Sequence, residues 1–113
     1  MMKEPAGMNI ITNSHIQTYD QLEKLIIEEE KIILYFSSPA CNVCLAVFPK
    51  LMDLLKDQLT KVLKIDINEH VEIAGQLLVF TVPTILIMYK GREVLRESRF
   101  IDFQSVERML NSF

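Results

Sequence analysis

The run Ile32-Ile33-Leu34-Tyr35-Phe36 has no polar break and is mostly β-branched or aromatic. A strand that meets water on one face alternates apolar with polar residues, whereas one covered on both faces does not. This run therefore needs packed structure above and below it. It reads as the central strand of a sheet with helices on both faces. The chain of 113 residues can enclose such a strand in one core and is short for two ordinary domains. A single domain over 1–113 is expected, with residues 1–9, which include Pro5-Ala6-Gly7, as a loose lead-in.

The flanking segments fit the same plan. Ile10-Ile11 and Ile16 suit a short first strand. Thr18 or Asp20 suits the cap of a helix whose apolar face carries Leu22, Leu25, Ile26 and Ile27. Glu28-Glu29-Glu30 then forms its solvated end. A second helix is expected from Cys41 to Gln58, with Val47, Leu51, Leu54, Leu55 and Leu59 on its apolar face and a kink at Pro49. Val62–Ile67 reads as a strand and Val71–Leu78 as a helix. Thr84–Tyr89 is an apolar strand, and the turn Lys90-Gly91-Arg92 joins it to an antiparallel partner over Glu93–Ser98. Asp102 suits the cap of a last helix with Val106, Met109, Leu110 and Phe113 inward. The order β-α-β-α-β-α-β-β-α implies parallel pairing with right-handed crossovers, closed by one hairpin. Met52, Met88 and Met109 lie in apolar segments and read as core filling, and Phe48, Phe80 and Phe100 as packing residues.

The chain has two cysteines, Cys41 and Cys44, with two residues between them. A secreted disulfide scaffold spreads more cysteines along the chain, so this pair points to chemistry. It follows the buried-type strand and opens a helix. The first helical turn offers unpaired N–H groups and the positive end of the helix dipole, both of which favour a thiolate at Cys41. Cys44, one turn further in on the same side, is placed to attack a mixed disulfide formed at Cys41. A CxxC pair also occurs in zinc sites. The other ligand candidates are His15, His70 and carboxylates, and neither histidine has ligand spacing to the cysteines, so no metal site is expected. Thr81-Val82-Pro83-Thr84 precedes an apolar strand, where a proline is tolerated and where an X-Pro bond has access to the cis form.

In their order and spacing these elements resemble the thioredoxin family. The resemblance rests on Cys41-x-x-Cys44 after a strand, Pro49 five residues beyond the second cysteine, Asp66 at a strand end, Val82-Pro83-Thr84, and the Lys90-Gly91-Arg92-Glu93-Val94 hairpin. It runs from about Ile16 to Phe113. It implies the thioredoxin-like three-layer α/β fold and thiol–disulfide oxidoreductase activity, with Cys41 as nucleophile and Cys44 as resolving thiol. It further implies a cis Pro83 beside the disulfide and substrate contacts from Ala40, Asn42, Val43, Val82 and Pro83. The backbone of Val82 would pair with an extended segment of substrate. The implied cofactor is none beyond the redox-active Cys41–Cys44 disulfide. The implied partners are protein disulfides, with a flavin-dependent disulfide reductase as electron donor. The chain departs from the family pattern where tryptophans usually stand, at Ser37 and Ala40, and where Asn42-Val43 replaces Gly-Pro. A buried aspartate usually occupies the position of Tyr35, with its companion lysine near Val62.

A net charge of −3 argues against a nucleic-acid partner, which calls for a basic face. No segment reaches the roughly 18 apolar residues of a membrane span. Met1–Thr12 lacks the pattern of a signal peptide. A cytoplasmic, monomeric protein that reduces protein disulfides is expected. The other readings are a non-catalytic binding module on the same fold and a redox sensor whose disulfide switches a partner.

Overall fold

Residues 16–113 and the backbone of the strand Ile10–Ile11 are described by a computed structural model. The expected lead-in over 1–9 and the candidate ligand His15 lie outside the described residues. In chain order the elements are β1 (Ile10–Ile11), α1 (Tyr19–Glu28), β2 (Lys31–Ser37), α2 (Asn42–Leu54), β3 (Lys61–Asp66), α3 (Val71–Gln76), β4 (Thr84–Tyr89), β5 (Arg92–Ser98) and α4 (Phe103–Leu110). The strands form a five-stranded sheet in the order β1-β3-β2-β4-β5. β3 runs parallel to β1 and β2, while β4 is antiparallel to both β2 and β5.

β2 lies at the centre, and its side chains separate by the period of two that a pleated strand imposes. Ile32, Leu34 and Phe36 face one core with Leu63 and Ile65 of β3, Leu86 and Met88 of β4, Leu22 and Ile26 of α1, and Ile73 of α3. Ile33 and Tyr35 face the other with Val62, Ile85 and Ile87, Val47, Leu51 and Met52 of α2, and Val106 and Leu110 of α4. All of Ile32–Phe36 is fully buried, as its unbroken apolar pattern requires.

Caps set the helix starts. Thr18 takes the N-cap of α1: its hydroxyl accepts from the Gln21 N–H at 3.2 Å, and the Gln21 side chain accepts from the Thr18 N–H at 3.1 Å. Asp102 caps α4, accepting from the N–H groups of Gln104 and Ser105 and from the Ser105 hydroxyl. The bonds from Ser105 hold the Asp102 carboxyl below its ordinary value. Lys90 and Gly91 form the two-residue loop between β4 and β5, both with positive φ (51° and 82°), as a primed hairpin turn demands. At the end of α3 the Leu78 backbone is left-handed, and Val79 N–H donates to the Ala74 carbonyl at 2.8 Å in a Schellman arrangement. Arg96 of β5 donates to the carbonyls of Leu77 and Leu78, tying that helix end to the sheet.

Several expectations are corrected. α2 stops at Leu54 rather than Gln58: Leu55 N–H bonds back to Leu51 and Met52, the chain turns, and Leu59 is left 87% exposed. Ile27 is exposed because the α1 stripe is narrow and only Leu22 and Ile26 reach the core fully. Ile16 is buried but lies outside β1. Phe80 and Phe100 are exposed rather than packed. Phe113 lies partly open, stacked on Tyr89 at 3.9 Å between ring centroids.

Candidate thiol–disulfide exchange site

The register brings four chain segments to one edge of the sheet. Ser37 pairs with Asp66, Phe36 with Thr84, and Thr84 with Ser98. The C-terminal ends of β2, β3 and β5 therefore lie beside the N-terminal end of β4. At this edge β2 leaves the sheet through Ser38-Pro39-Ala40, and Cys41 N–H donates to the Ser38 carbonyl at 3.1 Å. The chain then enters α2.

Cys41 is the N-cap of α2. Its backbone is extended (φ −91°, ψ 99°), and its Sγ accepts from the Cys44 N–H at 3.1 Å. The sulfur thus occupies the place of a capping oxygen, among the N–H groups of a first helical turn. One turn of helix brings Cys44 beneath it, and the two are joined in a disulfide with a Cα–Cα separation of 5.3 Å. Burial differs between them: Cys44 is buried and Cys41 half-buried. In the reduced protein the same N–H groups and dipole would favour a thiolate at Cys41. Ala40, Asn42 and Val43 are exposed around the pair.

Val82-Pro83 forms the adjoining wall. The Val82–Pro83 peptide bond is cis, Pro83 is buried, and Val82 is half-buried between the two cores. The structure thus brings Ala40–Cys44 and Val82-Pro83 to one edge. His70 lies at the N-cap of α3. Among the described residues no three His, Cys, Asp or Glu side chains cluster as metal ligands.

Tyr35 lies beneath the site. Its hydroxyl donates to the Cys44 carbonyl at 2.8 Å, and its ring meets Phe48 with centroids 5.0 Å apart. The Lys64 ammonium, on the β3 residue opposite Tyr35, sits 4.6 Å from the Phe48 ring centroid. Burial pushes the Tyr35 hydroxyl up to about 12, so it is a neutral donor at physiological pH. Among the described residues the buried polar side chains are Ser37, Thr60 and Thr84, so none is a carboxylate. The sequence shows that an aromatic phenol replaces the expected acid; the bond to Cys44 appears only in three dimensions.

This arrangement has a pH signature. A phenol whose folded pKa of about 12 exceeds its ordinary 10.0 keeps its proton longer in the folded chain. Its stabilising contribution is present below pH 10 and is lost as pH rises through about 12. Urea unfolding at about pH 9 and about pH 11.5 is expected to show wild type losing more stability than Tyr35→Phe across that window. Equal losses would remove Tyr35 as their source.

Fold and site together define a class: three-layer α/β domains that present a CxxC disulfide at a helix N-terminus, equipped for thiol–disulfide exchange. The Thioredoxin family profile matches residues 13–110. The chain is 36% identical over 111 residues to the thioredoxin-like protein YdfQ of Bacillus subtilis (strain 168), covering 96% of this chain and 91% of that one. It is 28% identical over 99 residues to thioredoxin of the same organism, covering 85% and 94% respectively. In fold it is similar to an N21Q mutant thioredoxin from Halobacterium salinarum NRC-1, with a TM-score of 0.77 at 20% identity over 99% of this chain and 95% of that one. The chain belongs to the thioredoxin family.

Proposed function

We propose that the protein is a thiol–disulfide oxidoreductase that reduces disulfides of cytoplasmic proteins, working as a monomeric single domain. The observation that carries the reading is the Cys41–Cys44 disulfide at the N-terminus of α2, with Cys41 the more accessible residue of the two. The family and its use of a redox-active disulfide support the class of reaction.

The reduced dithiol supplies two electrons. The Cys41 thiolate attacks one sulfur of the substrate disulfide, forming a Cys41–substrate disulfide and releasing the other sulfur as a thiolate. The Cys44 thiolate then attacks the Cys41 sulfur, closing the Cys41–Cys44 disulfide and releasing the second substrate thiolate. The protons lost by Cys41 and Cys44 end on the two substrate thiols. Tyr35 holds its own proton too firmly to take that of Cys44, which therefore passes to water or to the departing substrate thiolate. Val82 supplies backbone groups for an extended substrate segment, and Ala40, Asn42, Val43 and Pro83 supply its contact surface. A flavin-dependent disulfide reductase returns the two electrons.

The test is covalent capture. Reduced Cys44→Ser, offered an oxidised protein disulfide, is expected to accumulate an adduct through Cys41 that dithiothreitol releases. Wild type is expected to show no lasting adduct, because Cys44 resolves it. Absence of any adduct in Cys44→Ser would refute the exchange reading and leave a binding module.

A further inference from the structure

The two sulfurs of the pair sit in opposite surroundings. Cys41 caps α2 at the sheet edge and is half-buried, and its Sγ accepts from the Cys44 N–H at 3.1 Å. Cys44 is 4% exposed and shares a core with Ile33, Val47, Ile85 and Ile87. The amide nearest to Cys44 is thus engaged by the other sulfur. Attack on a disulfide needs a thiolate, and apolar burial disfavours the charged form of a thiol. A base or a cation against Cys44 would offset that burial.

Each element around Cys44 presents neither one in a buried position. β2 presents Tyr35, whose hydroxyl donates to the Cys44 carbonyl at 2.8 Å and is held neutral by its own burial. β3 presents Val62 and then Lys64, an exposed residue whose ammonium lies 4.6 Å from the Phe48 ring centroid. β3 ends in half-buried Asp66, whose carboxylate accepts from the Asn68 N–H at 2.8 Å. β4 presents Ile85 and Ile87. β5 presents Val94 and Leu95, and its Glu97 accepts from the Asp102 N–H. α4 presents Val106 and Leu110, with Glu107 and Arg108 exposed, and Lys50 and Asp53 of α2 are exposed as well. Among the described residues no carboxylate, lysine or histidine is buried.

We infer that partner release is the built-in slow step of this site: Cys41 attacks readily, and the chain then holds its partner as a Cys41 mixed disulfide until Cys44 loses its proton to solvent. The inference rests on the exchange reading above and adds the regulation of the same site. In the release step the Cys44 sulfur forms a bond to the Cys41 sulfur, and the Cys41–partner bond breaks. The partner sulfur leaves with the electron pair of the broken bond and takes up a proton from water, which replaces the one lost by Cys44. Hydroxide concentration therefore governs how long a partner is held, whereas capture by the capped Cys41 depends little on it.

The experiment mixes reduced wild type with an excess of the homodisulfide of a short cysteine-containing peptide, quenches with acid at successive times, and resolves reduced, adduct and oxidised protein by mass spectrometry. The adduct is expected to rise to more than about half of the protein at pH 6.5 and then to decay completely to the oxidised form. Its decay rate is expected to increase by about tenfold per pH unit up to pH 8.5, as the thiolate fraction of an un-ionised thiol does. The capture rate is expected to change by less than about threefold over the same range, and Cys44→Ser is expected to capture at the wild-type rate without decay. An adduct that never accumulates while oxidised protein forms, or a decay rate equal at pH 6.5 and 8.5, would overturn the inference and leave exchange intact. Absence of both adduct and oxidised protein, in wild type and in Cys44→Ser, would overturn the exchange reading itself.

Discussion

Replacing Cys41 by Ser is expected to bring reductant-driven turnover of a protein disulfide down to the uncatalysed background. The hydroxyl that replaces the sulfur forms no disulfide, so the first covalent step has no nucleophile at the only half-buried position of the pair. The variant is well suited to the test because the fold does not depend on the sulfur as such. Cys41 is the N-cap of α2, where it accepts from the Cys44 N–H, and serine is a favoured residue at that position. Circular dichroism and thermal unfolding of reduced Cys41→Ser should therefore match those of the reduced wild type. Turnover is followed by loss of the substrate disulfide under a fixed thiol reductant. Rates that are the same in variant and wild type would mean that the pair does not carry general reductase activity, and would favour a binding module or a sensor with a narrow partner.

Tyr35→Ala is expected to have the largest effect on stability. The side chain is fully buried on the central strand, packs against Phe48, and donates to the Cys44 carbonyl. Truncating a buried aromatic leaves a cavity that costs about 3–5 kcal/mol. For a domain of this size such a loss lowers Tm by on the order of 15–20 °C. Tyr35→Phe keeps the ring and removes only the hydroxyl, so its cost is expected to be about 1 kcal/mol. The comparison, made by denaturant unfolding of the reduced proteins, separates packing from hydrogen bonding. A loss below about 1 kcal/mol in Tyr35→Ala would mean that the site collapses around the deletion and that Tyr35 does not anchor the start of α2.

The position matters for chemistry as well as stability. Where the family resemblance places an ionisable acid beneath the second cysteine, this chain holds a neutral phenol bonded to a backbone carbonyl. The phenol fixes where Cys44 sits without offering a place for its proton. Exchange in this chain is therefore expected to rest on the geometry of the first helical turn and on access to Cys41.

Much of this protein is legible in the sequence because the relevant signals are local. The unbroken Ile32–Phe36 run specifies a strand covered on both faces, and it is one. Thr18 and Asp102 mark helix starts by side-chain geometry that spans three residues. Lys90-Gly91 marks a hairpin for the same reason. Cys41-x-x-Cys44 places two sulfurs on one side of a helix start, since a separation of three residues is slightly less than one helical turn. Helix ends are less secure: α2 stops at Leu54 although apolar periodicity continues to Leu59, because the choice between another turn of helix and a return to β3 depends on where β3 lies.

What only the tertiary structure decided are the relations between residues far apart in the chain. The strand order puts the start of β4 and the end of β5 beside the cysteines. The bond from Tyr35 to the Cys44 carbonyl needs β2 and α2 to be packed face to face. Arg99 carries no glycine-like cue for positive φ, and its turn exists because Pro83 offers it a carbonyl across the sheet. Periodicity and capping describe what a segment does with its own neighbours. Strain accepted at one residue for a contact 16 positions away is set by the whole fold, and it is absent from any local pattern.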